Sequence, residues 1–157
     1  MKIENILDSL IYDRTQGDVD YALSLRNSGV YTDENLRGAY NISDRNRVGR
    51  VINYLISELN LVRLHAKDDW VETDITKISD NDNIIVCLNR LRQVLEFEAV
   101  TEIPEDLDNL TYQKVNAVER VLYELCCAYF WICDASIFAG DGYASDFDAV
   151  NRQIFDV

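Results

Sequence analysis

The sequence at residues 40–59, YNISDRNRVGRVINYLISEL, decides the fold. Apolar residues recur there at intervals of three and four, the spacing that places side chains on one face of an α-helix. Ser43 precedes this face and is predicted to cap the helix, because a hydroxyl can accept a hydrogen bond from a free N–H group of the first turn. The helix is expected to enter the core through Val48, Val51, Ile52, Leu55, Ile56 and Leu59.

Two more long helices are predicted downstream of this one. The first opens at Ser79-Asp80, ends near Phe97 and has an apolar face formed by Ile84, Ile85, Leu88, Leu91 and Leu95. A connection around Pro104 follows, after which Thr111 caps the second. The apolar face of this last helix comprises Val115, Val118, Leu122, Leu125 and Tyr129.

Upstream, the periodicity predicts a short amphipathic helix over residues 3–11 and a longer one over residues 16–28. Thr15 stands three positions before Asp18, a spacing that caps a first turn and places an acid near the positive end of the helix dipole. Gly29 supplies the left-handed residue with which many helices end. A short capped turn is expected over residues 32–38.

Helical periodicity lapses over residues 61–78, between the two helical halves. Val71, Thr73 and Ile75 alternate with other residues there, so a small two-stranded β element could form within residues 68–78. At 157 residues the chain is expected to be one all-α domain, a bundle of three to four long helices plus short helices. Its predicted parts are an N-terminal helical half (about 1–62), a connection (63–78), a C-terminal helical half (about 79–140) and a tail (141–157).

The charge of the chain excludes some classes of partner. The net charge is −13, with 17 acids and 12 bases in residues 1–100 but 11 acids and 3 bases in residues 101–157. An acidic surface repels phosphate backbones, so nucleic acid is not expected as a partner, whereas a basic protein surface would dock most easily on the C-terminal third. The longest apolar run, residues 125–132, is too short to span a membrane, and no signal peptide is recognised.

The sequence offers few groups suited to catalysis, so neither an enzyme activity nor a cofactor is expected. His65 is the only histidine, and a structural or surface role is predicted for it. Residues 80–83, DNDN, lack the glycine and glutamate of a calcium loop, and no glycine-rich phosphate loop occurs. The one basic cluster is predicted to lie on a solvated face or to pair with neighbouring acids, and it comprises Arg37, Arg45, Arg47 and Arg50.

The four cysteines all lie in apolar stretches, and they are Cys87, Cys126, Cys127 and Cys133. Zinc sites normally need paired C-x-x-C or histidine spacing, and neither is present here. We therefore expect no metal site, and we expect the thiols to serve as small buried hydrophobic groups in a reducing compartment.

The sixteen aromatic residues exceed what the inner faces of four helices can hide. Rings at residues 129–131 would lie about 100° apart around a helix, so they cannot all face one core. Either this helix is surrounded on several sides or one of its rings meets a partner. The predicted interface comprises Tyr129, Phe130, Trp131, Phe138, Tyr143, Phe147 and Phe155.

Several blocks of sequence carry a resemblance to a known group of proteins. They are Asp13-Arg14-Thr15-Gln16 with Asp18-Val19, Arg37-Gly38-Ala39-Tyr40-Asn41, Ser43-Asp44-Arg45-Asn46-Arg47-Val48-Gly49, Trp70 with Asp74-Ile75, Leu110-Thr111-Tyr112 with Asn116 and Glu119, Ala128-Tyr129-Phe130, and Phe138-Ala139-Gly140. In these blocks, which span most of the chain, the sequence resembles an uncharacterised helical module of structural proteins from phages and prophages of Firmicutes, mostly encoded among tail or baseplate genes.

The resemblance implies a virion component and brings no catalytic activity with it. The expected function is a phage structural protein associated with the tail, baseplate or fibre, made in the bacterial host cytoplasm and assembled with other virion proteins and with copies of itself. The alternative is a small acidic intracellular regulator or inhibitor that captures a basic protein, as the acidic C-terminal third suggests.

Overall fold

Five α-helices are present in the described part of the chain, residues 3–29, 36–98 and 100–139 of a computed structural model. In chain order they are α1 (Ile3–Leu7), α2 (Gln16–Asn27), α3 (Ile42–Glu58), α4 (Ile78–Val94) and α5 (Tyr112–Ala139). These residues include no β-strand, and the all-helical class predicted from the sequence is confirmed. The predicted tail (141–157) and most of the predicted turn (32–38) lie outside the described residues.

Helices α3, α4 and α5 pack against one another around a shared apolar core. Val48, Ile52 and Leu55 of α3 are fully buried, as their spacing predicts. The apolar residues of α4 and α5 that are equally inaccessible are Cys87, Leu88, Leu91, Val121, Leu122, Leu125 and Cys126. Because burying one large aliphatic side chain contributes roughly 1.5–3 kcal/mol, this three-helix core is the main source of stability.

The start and end of α2 follow the sequence prediction. Thr15 Oγ1 accepts a hydrogen bond from the N–H of Asp18 at 3.2 Å, and the Asp18 carboxylate accepts one from the N–H of Thr15 at 2.7 Å. At the other end, Gly29 adopts a φ of 71°. The reciprocal cap and the left-handed glycine are both confirmed.

The predicted cap of α3 is wrong by two residues. Asn41, not Ser43, precedes the helix, and its Oδ1 accepts from the N–H of Asp44 at 3.1 Å while the Asp44 carboxylate accepts from the N–H of Asn41 at 3.0 Å. An asparagine three positions before an acid satisfies two free N–H groups at once, which a cap at Ser43 would not. The Ser43 hydroxyl instead donates to Asn41 Oδ1 at 2.6 Å.

Two other helices are shorter than predicted at their C-termini. Helix α4 ends at Val94 rather than near Phe97, because Glu96 adopts a φ of 47° and the N–H of Phe97 bonds back to the carbonyl of Arg92 at 3.3 Å. Helix α1 ends at Leu7 rather than at residue 11, and the Ser9 hydroxyl donates to the carbonyl of Ile6 at 2.7 Å.

The connection between α3 and α4 is held by two asparagines of α3. Asn53 donates to the carbonyl of Ala66 at 2.7 Å and accepts from its N–H at 2.8 Å. Asn46 forms the same pair of bonds with Trp70, at 3.0 and 2.7 Å. These side chains satisfy backbone groups that a neighbouring strand would otherwise pair with, so the β element predicted within residues 68–78 does not form.

Gly49 lies between those asparagines on the same face of α3. A Cβ atom at this position would lie 2.3 Å from the carbonyl oxygen of Lys67, so only glycine allows the connection to approach the helix this closely. The approach also places Trp70 in the interior, where its indole N–H donates to the same carbonyl at 3.1 Å. The connection is thus a fixed part of the fold.

Candidate functional site

Four charged side chains meet inside the protein, and we call them the ionic cluster: Arg14, Asp44, Arg47 and Glu119. Arg14 Nη2 lies 3.0 Å from Asp44 Oδ1 and 2.9 Å from Glu119 Oε1. Arg47 Nη2 lies 2.8 Å from Glu119 Oε1, Arg47 Nε lies 3.1 Å from Glu119 Oε2, and Arg47 also pairs with Asp44. Glu119 is wholly inaccessible, so these groups depend on one another for solvation.

The ionic cluster joins distant parts of the chain. Glu119 on α5 accepts a hydrogen bond from the N–H of Ile11 at 2.7 Å, across 108 residues of sequence. Asn116, one turn earlier on α5, accepts from the N–H of Arg14 at 3.1 Å and donates to its carbonyl at 2.9 Å. Residues 11–14 are thereby attached to α5 by both side-chain and backbone groups.

Charge in the ionic cluster is balanced, which limits its chemistry. Two guanidinium groups face two carboxylates, and burial alone would lower the pKa of Arg47, but the carboxylates of Glu119 and Asp44 raise it overall. Within the described residues, no buried side-chain nitrogen or oxygen lacks a hydrogen-bond partner. The cluster therefore stabilises the architecture and offers no carboxylate free to act as an acid, a base or a ligand.

Sequence reasoning missed most of this cluster. Arg47 was expected to be solvated or paired with neighbouring acids; it does pair with Asp44, but its second partner, Glu119, comes from another helix. No local pattern identified Arg14 or Glu119 as buried. The available signal was the set of blocks quoted for the resemblance, because those blocks contribute every charged residue of the ionic cluster, together with Asn116.

Two other members of the predicted basic cluster, Arg37 and Arg45, contact acids or aromatic rings, and Arg50 is exposed as predicted. Arg37 forms an ion pair with Asp13. The guanidinium of Arg45 lies 5.2 Å from the ring centroid of Tyr40 and 5.2 Å from that of Trp70. These contacts stabilise the entry to α3 and the connection that follows it.

The C-terminal part of α5 is apolar in sequence but only partly covered by the rest of the protein. Helix α5 has 28 residues whereas α3 and α4 have 17 each, so α5 is longer by roughly 16 Å at 1.5 Å per residue. Among residues 112–135, the part of α5 whose side chains are described, Cys126 is the last that is fully buried. We call residues 127–135, sequence CAYFWICDA, the α5 extension; none of these nine side chains is fully buried, and only Asp134 is charged.

Trp131 is the centre of the α5 extension. Its side chain is 77% exposed, and that of Ile132 is 41% exposed. A shallow depression beside it is lined by Cys127, Phe130, Trp131, Cys133 and Asp134. At Trp131 and Ile132, the extension therefore presents aromatic and aliphatic surface to solvent.

The predicted interface residues differ in how far the structure exposes them. Tyr129 packs against the edge of the core, and its hydroxyl donates to Glu58 Oε2 at 2.7 Å. Phe130 is half-buried beside it, with ring centroids 6.0 Å apart, and Trp131 points outward. Phe138 belongs to α5, but its side chain lies outside the described residues, as do Tyr143, Phe147 and Phe155 entirely.

The cysteines are all free thiols, and two of them behave as predicted. Cys87 and Cys126 are buried, and burial raises the pKa of both, that of Cys126 to about 12 with a smaller contribution from Cys127. Cys127 and Cys133 are only partly buried, which departs from the prediction. Residues 3–29, 36–98 and 100–139 contain no group of three His, Cys, Asp or Glu side chains arranged to hold a metal ion.

Comparisons with known proteins leave the geometry as the basis for a functional argument. No described helix is long and apolar enough to cross a membrane. No protein-family model matches the chain, and no curated protein or solved structure matches it either. The resemblance to phage structural modules accordingly stays a prediction.

Proposed function

We propose that this chain is a structural component of a phage virion, in the tail, baseplate or fibre region, that acts through protein–protein assembly. The observation that carries the proposal is the α5 extension, where eight of nine residues are apolar and none is fully buried. A helix that is apolar on all sides is normally enclosed by other protein, so this segment is suited to packing against a partner.

Trp131 is the side chain expected to contribute most to the binding free energy at this surface. Covering a large aromatic side chain contributes roughly 1.5–3 kcal/mol, and tryptophan is one of the residues most often found at the energetic centre of an interface. Phe130 and Ile132 lie next to it and add apolar area on neighbouring sides of the helix. A partner that binds here would cover apolar surface that the described residues of the chain leave exposed.

The rest of the molecule forms a rigid scaffold for this surface. The ionic cluster and the asparagine bonds to the connection hold the N-terminal segment, α3 and α5 in fixed relation. A rigid support reduces the entropy lost on association. Placement in a virion is supported by the quoted resemblance blocks, several of which supply these architectural contacts.

The proposal is tested by replacing Trp131 with serine in the phage or prophage that encodes the chain. We expect Trp131→Ser protein to accumulate in cells but to be depleted from purified particles, or the particles to lose their tail structures in electron micrographs. The matched control is Val62→Ser, because Val62 is 89% exposed and lies on the connection instead of on α5. Normal incorporation of the Trp131→Ser protein would contradict the proposed role of this surface.

A second candidate function is the acidic regulator that captures a basic protein. It is favoured by the net charge of −13 and by the excess of 8 acids over bases in residues 101–157. Cell fractionation separates the two functions, since a regulator is abundant in infected cells and absent from particles, whereas a virion component is present at a fixed ratio to other particle proteins.

A further inference from the structure

We propose that the α5 extension binds a basic, apolar segment of another protein, in which lysine or arginine residues flank an aliphatic or aromatic stripe. This proposal rests on the proposed function and specifies the chemistry of the partner at the same surface. Two observations support it: the charge on and beside the extension, and the cation contacts that several other aromatic rings of this fold make.

The extension and the residues of α5 just before it carry acids but no base. Residues 121–135 contain two acids, Glu124 and Asp134, and no lysine or arginine. Asp134 lies on the extension itself and is exposed, and the exposed carboxylate of Glu58 accepts the hydroxyl of Tyr129 at its edge. A partner with cations beside its apolar residues would find complementary charge here.

The same charges act against pairing with a second copy. Each copy carries a net charge of −13, and a symmetric contact at the extension would bring Asp134 and Glu58 of one copy towards the same carboxylates of the other. Like charges brought together at an interface disfavour association, and this penalty falls on a self-pair but not on a basic partner. The apolar surface alone would fit either occupant, and the charge selects between them.

Cation contacts on aromatic rings provide the second observation. Trp70 has the ammonium of Lys67 at 4.6 Å and the guanidinium of Arg45 at 5.2 Å from its ring. Tyr12 and Tyr123 share Arg120, at 4.8 and 5.8 Å.

Trp131 differs from these rings. It is the more exposed of the two tryptophans, and within the described residues no cation lies over its ring. A lysine or arginine of the partner would supply that contact, with its aliphatic stem covering the neighbouring apolar surface.

The test uses the full chain and two synthetic peptides of eighteen residues. Both peptides have the same leucine stripe at helical spacing; one has lysine at the flanking positions and the other has glutamate. Fluorescence anisotropy of each labelled peptide is measured as the chain is added, in low and in moderate salt. We expect the lysine peptide to bind about tenfold more tightly than the glutamate peptide in low salt, since each of the two exposed carboxylates, Asp134 and Glu58, favours lysine roughly twofold and disfavours glutamate by about as much. The preference should shrink as salt is added.

Variants connect this preference to Trp131. Trp131→Ser should abolish binding of the lysine peptide, and Val62→Ser should leave it unchanged. Trp131→Leu keeps apolar area but removes the ring face, so binding should weaken about two- to fivefold if a cation covers the ring. Circular dichroism of each variant establishes that the helices are intact.

Four results would overturn the proposal, and they differ in what they say of the proposed function. Equal binding of both peptides removes the basic partner but leaves an apolar assembly surface. A dimer in light scattering that disappears in Trp131→Ser assigns the surface to a second copy. If neither peptide binds and Trp131 is shielded from acrylamide quenching, residues 140–157 of the same chain cover Trp131, and the docking role is refuted as well. If neither peptide binds and Trp131 is accessible to the quencher, only the basic partner is refuted.

Discussion

Replacing Glu119 with glutamine should destabilise the fold more than any other single change to a charged residue. Glu119 accepts three hydrogen bonds, from Arg47 Nη2 and Nε at 2.8 and 3.1 Å and from the N–H of Ile11 at 2.7 Å, and it forms an ion pair with Arg14, whose Nη2 lies 2.9 Å away. Glutamine keeps the shape but leaves two buried guanidinium groups facing one carboxylate, and its own N–H groups oppose donors. Breaking a buried ion pair in this way costs about 3–5 kcal/mol.

Urea denaturation followed by circular dichroism measures the loss. With a denaturant dependence of roughly 2 kcal/mol per molar urea, the unfolding midpoint should fall by roughly 2 M, a large part of the stability of an ordinary domain. Glu72→Gln is the control, because Glu72 is exposed and its replacement should change the free energy of unfolding by less than about 0.5 kcal/mol.

A double-mutant cycle tests the reasoning behind this magnitude. The Glu119→Gln and Arg14→Gln changes should be strongly non-additive, because each removes the same interaction. A loss below about 1 kcal/mol for Glu119→Gln, or additive effects in the cycle, would refute the claim that the cluster acts as one buried unit.

Three further predictions concern other parts of the molecule. Gly49→Ala should lower the free energy of unfolding by about 1–3 kcal/mol in thermal melts, because the new Cβ atom would clash with the backbone carbonyl of Lys67. Gly17→Ala is the control, because its Cβ atom would make only an ordinary contact. Equal effects of the two changes would contradict the close approach of the connection to α3. Hydrogen bonds from the N–H and, to a smaller extent, the hydroxyl of Thr15 hold the pKa of Asp18 in the folded protein below 3.8. The Asp18 carboxylate therefore stabilises the fold above pH 3.8, and this contribution is lost as the pH falls through the lower pKa of the folded state. An NMR titration midpoint of Asp18 at or above 3.8 would be inconsistent with the cap. Trp131→Ser should leave the unfolding midpoint nearly unchanged because the ring is exposed, and a loss of several kcal/mol would show that it belongs to the core.

The sequence predicted those parts of the fold that depend on local pattern. The three- and four-residue spacing from Val48 to Leu59 identified the buried face of α3, and Thr15 with Asp18 identified the start of α2. Both signals act over one or two helical turns, so neighbouring residues are sufficient to reveal them.

Features that depend on distant residues could not be predicted in this way. Whether Arg47 is solvated or buried depends on Glu119, which another helix supplies. Whether residues 68–78 form a strand depends on Asn46, whose side chain takes the backbone bonds of Trp70. The α3 cap, by contrast, depends on local sequence: Asn41 and Ser43 are both residue types that cap helices, but Asn41 alone of the two stands three positions before an acid, Asp44.

The candidate surface was predicted in part. The three rings at residues 129–131 left two interpretations open, a helix surrounded on several sides or a ring that meets a partner, and in the structure Trp131 is the exposed ring. The sequence alone could not show that α5 is longer than α3 and α4, because this difference depends on where each of the three helices ends.

The most direct test of the central claim is quantitative mass spectrometry of purified particles from the phage or prophage that encodes this chain. The account predicts that the chain is present at a fixed copy number relative to other tail proteins, as expected of a structural component in a symmetric assembly. Absence of the chain from particles, with the protein abundant in infected cells, would contradict the virion assignment and favour the acidic regulator.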